Sequence, residues 1–190
     1  CYAHVDGIRS ELNSILTLLN DSATVYPFLD LPASRESYLK GLGKKTRFNC
    51  RYERKRLLES GGVIEKIPSE NVSEKDVGDY LNLHMKRWGR QSVAITEQTS
   101  GFHTQLCLAA AQRGYLTLFF ITLDGKRIAA HSCFDIRDRR EAYFTGLDPD
   151  YEKSGAGIVL FHETILDAID SRFTRYELGY GGDDYKFKFT

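Results

Sequence analysis

The chain has 190 residues and a mass of 21.7 kDa, the size of one ordinary domain, which excludes a large multidomain machine. Hydrophobic residues make up 42%, aromatics 12% and charged residues 27%, enough apolar material to offset the entropy of folding and too much for a disordered chain. Lys plus Arg and Asp plus Glu each number 26, and the resulting zero net charge speaks against a dedicated nucleic-acid or anionic-membrane binder.

That zero conceals a segregation. Between Arg35 and Arg56 nine basic residues face only Glu36 and Glu53, so this segment stands at +7 and the remainder at −7. Cys1, Cys50, Cys107 and Cys133 are far apart, with no C-x-x-C pair and no metal-ligand spacing, so no metal is expected and the thiols read as reduced. No apolar run approaches the roughly 20 residues of a transmembrane helix, and no signal-type segment opens the chain. A cytoplasmic protein without a membrane span is expected. The first residue is Cys1 rather than Met, and the chain is read as part of a longer polypeptide.

In chain order, Ile8, Leu12, Ile15, Leu16 and Leu19 recur at helical spacing, so residues 1–25 read as a helical arm or linker and the domain proper as 26–190. Pro27 and Pro32 forbid a helix interior across Tyr26 to Pro32, and Ser34 offers an N-cap for a short helix ending near Gly41 or Gly43. Lys44 to Ser60 continues as a helix with Arg47, Arg51 and Lys55 on one face and Phe48 and Tyr52 on the next, ended by Gly61-Gly62. Val63 to Ile67 alternates as a strand, and Ser73 to Asp76 resembles a capping box opening a helix with Val77, Leu81, His84 and Trp88 on one stripe. A further helix ends at Gly114. Asp124-Gly125 between two β-rich runs predicts a tight hairpin, and Arg140 to Leu147 a third strand. A late helix follows Ser154-Gly155-Ala156-Gly157, and Arg175 to Leu178 and Tyr185 to Phe189 read as closing strands. This order describes a mixed sheet with helices packed on it, not a doubly wound parallel fold.

The most informative stretch is strand, loop, glycine-flanked turn and helix over Ala142 to Ile158. Glycines let the backbone approach a ligand, and the free N–H groups of a helix N-terminus favour an anion such as a pyrophosphate. No Gly-Lys-Ser/Thr follows, so this is not a Walker loop. The matching series is Arg47 to Glu59, Leu83-His84 through Arg87-Trp88, Leu123 to Lys126 with Ile128 to Ala130, Tyr143 to Tyr151, and Gly181 to Lys186. On these motifs the chain resembles the GNAT acyltransferase superfamily, and more closely its CelD-type branch associated with cellulose and exopolysaccharide biosynthesis, related in fold to FemABX transferases. The resemblance implies an α/β (mixed α+β) fold with a central, largely antiparallel sheet flanked by helices, and commonly a similar upstream half.

It also implies an acyl-CoA co-substrate, acetyl-CoA first. The backbone of Thr145, Gly146 and Leu147 would follow the pantetheine arm, and the N–H groups of Gly155, Ala156, Gly157 and Ile158 would take the pyrophosphate. The usual loop begins with Arg or Gln where this chain has Glu152, which would repel a phosphate, with Lys153 adjacent to compensate. Acyl transfer to an amine needs a base, an oxyanion donor and a proton for the thiolate. His131 is the candidate base, the alternative being a histidine bonded to backbone. Lys186 is the candidate oxyanion donor, against an exposed strand lysine, and Tyr185 the candidate proton donor. Arg51, His84, Asp148 and Asp183 are candidate acceptor contacts, although Asp-Pro and Gly-Gly-Asp-Asp are also ordinary turn chemistry and His84 with Trp88 reads as packing.

The expected function is N- or O-acyl transfer to an amino sugar or similar acceptor in cell-envelope or polysaccharide metabolism, with no DNA and no RNA as the expected partner. Two alternatives stand beside it. The basic helix with Phe48 and Tyr52 also suits an aminoacyl-tRNA-dependent transferase of FemABX type. Glu152 and the absence of an unmistakable base also suit a non-catalytic half-domain that scaffolds a partner.

Overall fold

Asp124 and Gly125 both take positive φ, 51° and 73°, as a two-residue turn between twisted strands demands. They join β3 (Leu116–Leu123) to β4 (Lys126–Ile136) in the middle of a six-stranded sheet. The structure is a computed structural model that describes residues 25–92, 94–179, 181–182 and 184–189. The expected helix over residues 5–19 and the candidate Asp183 lie outside them. Antiparallel to the hairpin run β2 (Val63–Ile67) on the β3 side and β5 (Arg139–Leu147) on the β4 side. β6 (Arg175–Glu177) pairs parallel with β5, and β1 (Phe28–Asp30) pairs antiparallel with β6. The order β1-β6-β5-β4-β3-β2 makes a mostly antiparallel mixed sheet with a single parallel junction.

Among the described residues, five α-helices cover its two faces. On one side lie α3 (Glu74–Trp88) and α4 (Ser100–Gln112), whose Val77, Tyr80, Leu81, Cys107 and Ala110 pack on Leu116, Leu118 and Phe120 of β3. On the other side lie α1 (Arg35–Gly41), α2 (Lys44–Glu59) and α5 (Ala156–Asp170), with Leu57, Val159 and Leu160 against Phe119, Ile121 and Ala129. Alternate residues of β3 thus enter opposite cores, which explains an apolar run without polar alternation. Ser34 caps α1, and Ser73 with Asp76 closes the expected capping box on α3. Buried Arg140 ties the sheet to α5, its guanidinium donating to Asp135 at 2.6 and 2.8 Å and to Asp167 at 2.7 Å.

One stretch takes a form that the sequence leaves open, and one expectation needs correction. The Pro27–Pro32 stretch forms the edge strand β1, a position where flanking prolines remove no ladder bond. The C-terminal Tyr185 to Phe189 is not a strand but a single 3-10 turn at Lys186–Lys188. Its apolar alternation suggested period two, yet the two buried residues are Lys186 and Phe189, three apart, as a helical turn requires.

The parallel junction creates the site. β5 and β6 pair at Arg139↔Arg175, Arg140↔Tyr176 and Glu141↔Glu177. β5 then runs on to Leu147 without β6, so the strands part and leave a wedge between residues 142–147 and the segment after Leu178.

Candidate active site

A β-bulge sets the chemistry of the wedge. Pairing passes from Cys133↔Ala142 to His131↔Thr145, so β5 carries one extra residue opposite Ser132. The Ser132 hydroxyl accepts the Phe144 N–H at 3.3 Å, which satisfies the bulge. The shift places Thr145 rather than Phe144 beside His131. His84 of α3 fixes the same point. Its Nδ1–H donates to the Thr145 carbonyl at 2.9 Å, so Nε2 is the acceptor of the Ser92 hydroxyl at 3.0 Å. Gly146 follows because the α3 backbone passes so close that a Cβ there would lie 2.6 Å from His84 N.

Two cavities open in the wedge. The first, about 370 Å³, is lined by Thr145, Gly146, Leu147, Gly155, Gly157 and Ile158, with Arg87, Glu152 and Lys188 at its rim. The second, about 270 Å³, is lined by His84, Trp88, Tyr143, Phe144 and Lys186 among others. His131, Thr145, Phe161 and Tyr185 line both, so the cavities meet there. The His131 ring stacks on Phe161 at 5.6 Å and 14°, is 1% exposed, and neither ring nitrogen has a hydrogen-bond partner among the described residues. Burial first, then Arg140 and Arg87, push its pKa down to about 3, so the imidazole is neutral at pH 7.

The phosphate cradle lies at the far end of the first cavity. Gly155 takes φ 77° and leads into α5. The hydroxyl of Ser154 accepts the Ala156 N–H at 3.1 Å, whereas the N–H groups of Gly157 and Ile158 find no acceptor among the described residues. An unpaired edge strand leading to open helix N–H groups suits a pantetheine amide chain ending in a pyrophosphate. From the α2 side, Glu53 presses on the loop: a Cβ on Gly155 would collide with its carboxylate. Arg56 holds that carboxylate through Nε at 3.0 Å and Nη2 at 2.5 Å, and donates to the Lys153 carbonyl at 3.0 Å.

Of the expected residues, the wedge brings together His131, Thr145, Gly146, Leu147, Gly155, Gly157, Ile158, Tyr185, Lys186 and His84. Lys186 is buried, not an exposed strand lysine, and its ammonium donates to the carbonyl of Gly181 at 3.0 Å, fastening the loop that walls the second cavity. Asp148 lines neither cavity: it is 3% exposed and clamped by Lys86 at 3.0 Å and Lys126 at 2.8 Å, which hold its pKa down to about 2. Arg51 is exposed on α2, Lys153 is exposed beside the loop, and Ala156 is buried in the core with its N–H already capped; none of the three lines a cavity. Sequence reasoning missed Arg87, Phe161, Lys188, Glu53 and Arg56. Glu53 and Arg56 carried a signal as an i,i+3 acid–base pair on the basic helix, and Arg87 lay within one of the motifs that carry the resemblance.

Residues 44–187 match the acetyltransferase (GNAT) domain family, and the chain belongs to it. No curated protein matches the chain. Among solved structures, it is similar to FemX, with 10% identity and a TM-score of 0.62 over 85% of this chain and 53% of that one. It is similar to L-PGS from Bacillus licheniformis, with 13% identity and a TM-score of 0.54 over 84% and 48%. It is also similar to an aminoglycoside acetyltransferase, meta-AAC0020, from an uncultured soil metagenomic sample in complex with sisomicin, with 14% identity and a TM-score of 0.51 over 70% and 86%. These likenesses show the fold, and the chain spans about half the length of the first two. No helix among the described residues is long and apolar enough to cross a membrane.

Proposed function

We propose that this GNAT domain transfers an acyl group from acyl-CoA, acetyl-CoA first, to the amine or hydroxyl of an amino sugar or similar acceptor. The meeting of two cavities at an unpartnered, neutral imidazole carries this reading. The first cavity takes the thioester arm along β5, with its phosphates on Gly157 and Ile158. The second, walled by Trp88, Tyr143 and Phe144, offers ring faces on which a sugar packs. The acceptor attacks the thioester carbonyl, a C–N or C–O bond forms and the C–S bond breaks. His131 takes the acceptor's proton as the adduct forms, and the Tyr185 hydroxyl gives a proton to the departing thiolate. The resemblance to the CelD-type branch is what points to cell-envelope or polysaccharide metabolism, and to a similar half upstream as a partner.

Calorimetry with acetyl-CoA tests the reading. Gly157 has open space where a Cβ would go, so Gly157→Asp folds and places a carboxylate at the cradle. Binding by the native chain and a loss of about tenfold or more in that variant are expected; no heat at millimolar acetyl-CoA would overturn the acyl-CoA assignment.

A second reading keeps an aminoacyl-tRNA donor. It rests on Phe48 and Tyr52, 65% and 53% exposed and stacked at 6.0 Å, beside exposed Lys44, Lys45 and Arg51. Salt-dependent tRNA binding without acetyl-CoA binding would favour it.

A further inference from the structure

We propose that Glu53 and Arg56 form a charge gate on the cofactor cradle: Glu53 holds off the phosphates, and Arg56 becomes their cation once it lets Glu53 go. The inference rests on the acyl-CoA reading and assigns residues outside both cavities. Three observations carry it. Glu53 lies against Gly155, the left-handed residue that turns the loop into α5, so a carboxylate is seated beside the N–H groups meant for an anion. Arg56 is already attached to that loop, donating to the Lys153 carbonyl at 3.0 Å while its Nε holds Glu53 at 3.0 Å. Within the loop itself, Glu152 faces the first cavity and Lys153 does not. Of the other cations at the cavity rim, Arg87 lies at the reacting end, 3.4 Å from the Thr145 hydroxyl.

A pyrophosphate on Gly157 and Ile158 therefore meets the Glu152 carboxylate and a Glu53–Arg56 pair whose charges cancel, with Lys188 as the other cation lining the cavity. Removing the Glu53 charge relieves a repulsion and at the same time releases Arg56 toward the phosphates. The Coulomb interaction of two unit charges at a partly exposed site corresponds to about a fivefold to tenfold change in affinity. Glu53→Gln keeps a side chain of the same shape against Gly155, so the loop stays in place, while its neutral amide no longer holds Arg56 by charge.

The test compares the native chain, Glu53→Gln and Arg56→Gln, each first shown to unfold cooperatively. CoA binding is measured by calorimetry and pantetheine binding, which lacks the phosphates, by NMR shift titration. The expected result is CoA binding tightened about fivefold or more in Glu53→Gln and weakened about fivefold or more in Arg56→Gln, with pantetheine affinity alike in all three. Unchanged or weaker CoA binding in Glu53→Gln overturns the gate, as does a shift that pantetheine shares in parallel. If none of the three binds CoA, the acyl-CoA reading itself fails and takes the gate with it.

Discussion

An imidazole buried to 1% exposure with both nitrogens unbonded is a cost, since a buried polar group without a partner costs about 1–3 kcal/mol. His131 has apolar company in Phe161, so a phenyl ring would suit its place better than the imidazole does. His131→Phe is expected to raise unfolding free energy by about 1 kcal/mol in urea titration and to abolish acyl transfer. A variant both less stable and active would remove His131 from the chemistry. A histidine in a β-rich run was legible as a candidate base from the sequence alone. Its neighbours were not: Phe161 and Arg87 reach the site from α5 and α3, and Thr145 stands beside His131 only because of a one-residue bulge that leaves no mark in the residue pattern.

At the scale of elements, β5 and α3 are pressed together at Gly146, where a Cβ would lie 2.6 Å from backbone atoms of Leu83 and His84. Backbone cannot step aside as a flexible side chain can. Gly146→Ala is expected to lower unfolding free energy by about 2–3 kcal/mol and to disturb the His84–Thr145 bond, measured by urea unfolding and by the imidazole NMR signals. The elements legible in the sequence were those written by local chemistry: the Asp124-Gly125 hairpin, the Ser73–Asp76 capping box, the Ser34 cap and the glycine-opened α5. What failed to show depends on distant partners. The three-residue β1 exists because β6 offers it a ladder, and the C-terminal turn exists because Lys186 finds carbonyls and Phe189 finds the core.

The whole molecule holds buried histidines whose pKa values lie below the ordinary 6.5, mainly through burial: His131 at about 3, His162 at about 4, and His84 lowered as well. The unfolded chain binds these protons more readily, so their contribution is complete above pH 6.5 and lost as pH falls from there toward 3 to 4. At pH 5, His131 and His162 each cost up to about 2 kcal/mol. Urea midpoints are expected to fall steeply between pH 7 and pH 5, before the lysine-clamped Asp148 titrates at about 2. A flat profile there would mean that the histidines are not buried neutral. Global fold class was legible from the order of elements, helices first and then an antiparallel run, because connectivity constrains topology. The wedge was not, since it arises where a ladder stops.

The charge segregation has a mechanical meaning in the folded molecule. The positive segment is the α1–α2 hairpin, and it is fastened to α5 by Arg35–Asp170 and Arg54–Glu163 across the surface. Only Tyr38, Leu42, Cys50 and Leu57 of that hairpin enter the core. Surface pairs contribute little each and weaken with salt. The hairpin is therefore held in two ways, by the burial of these four side chains and by surface ion pairs, and only the second part of its attachment weakens with salt. Glu53 and Arg56 ride on this hairpin, so the outer wall of the cofactor loop is set by apolar packing beneath it and by salt-sensitive pairs at its surface.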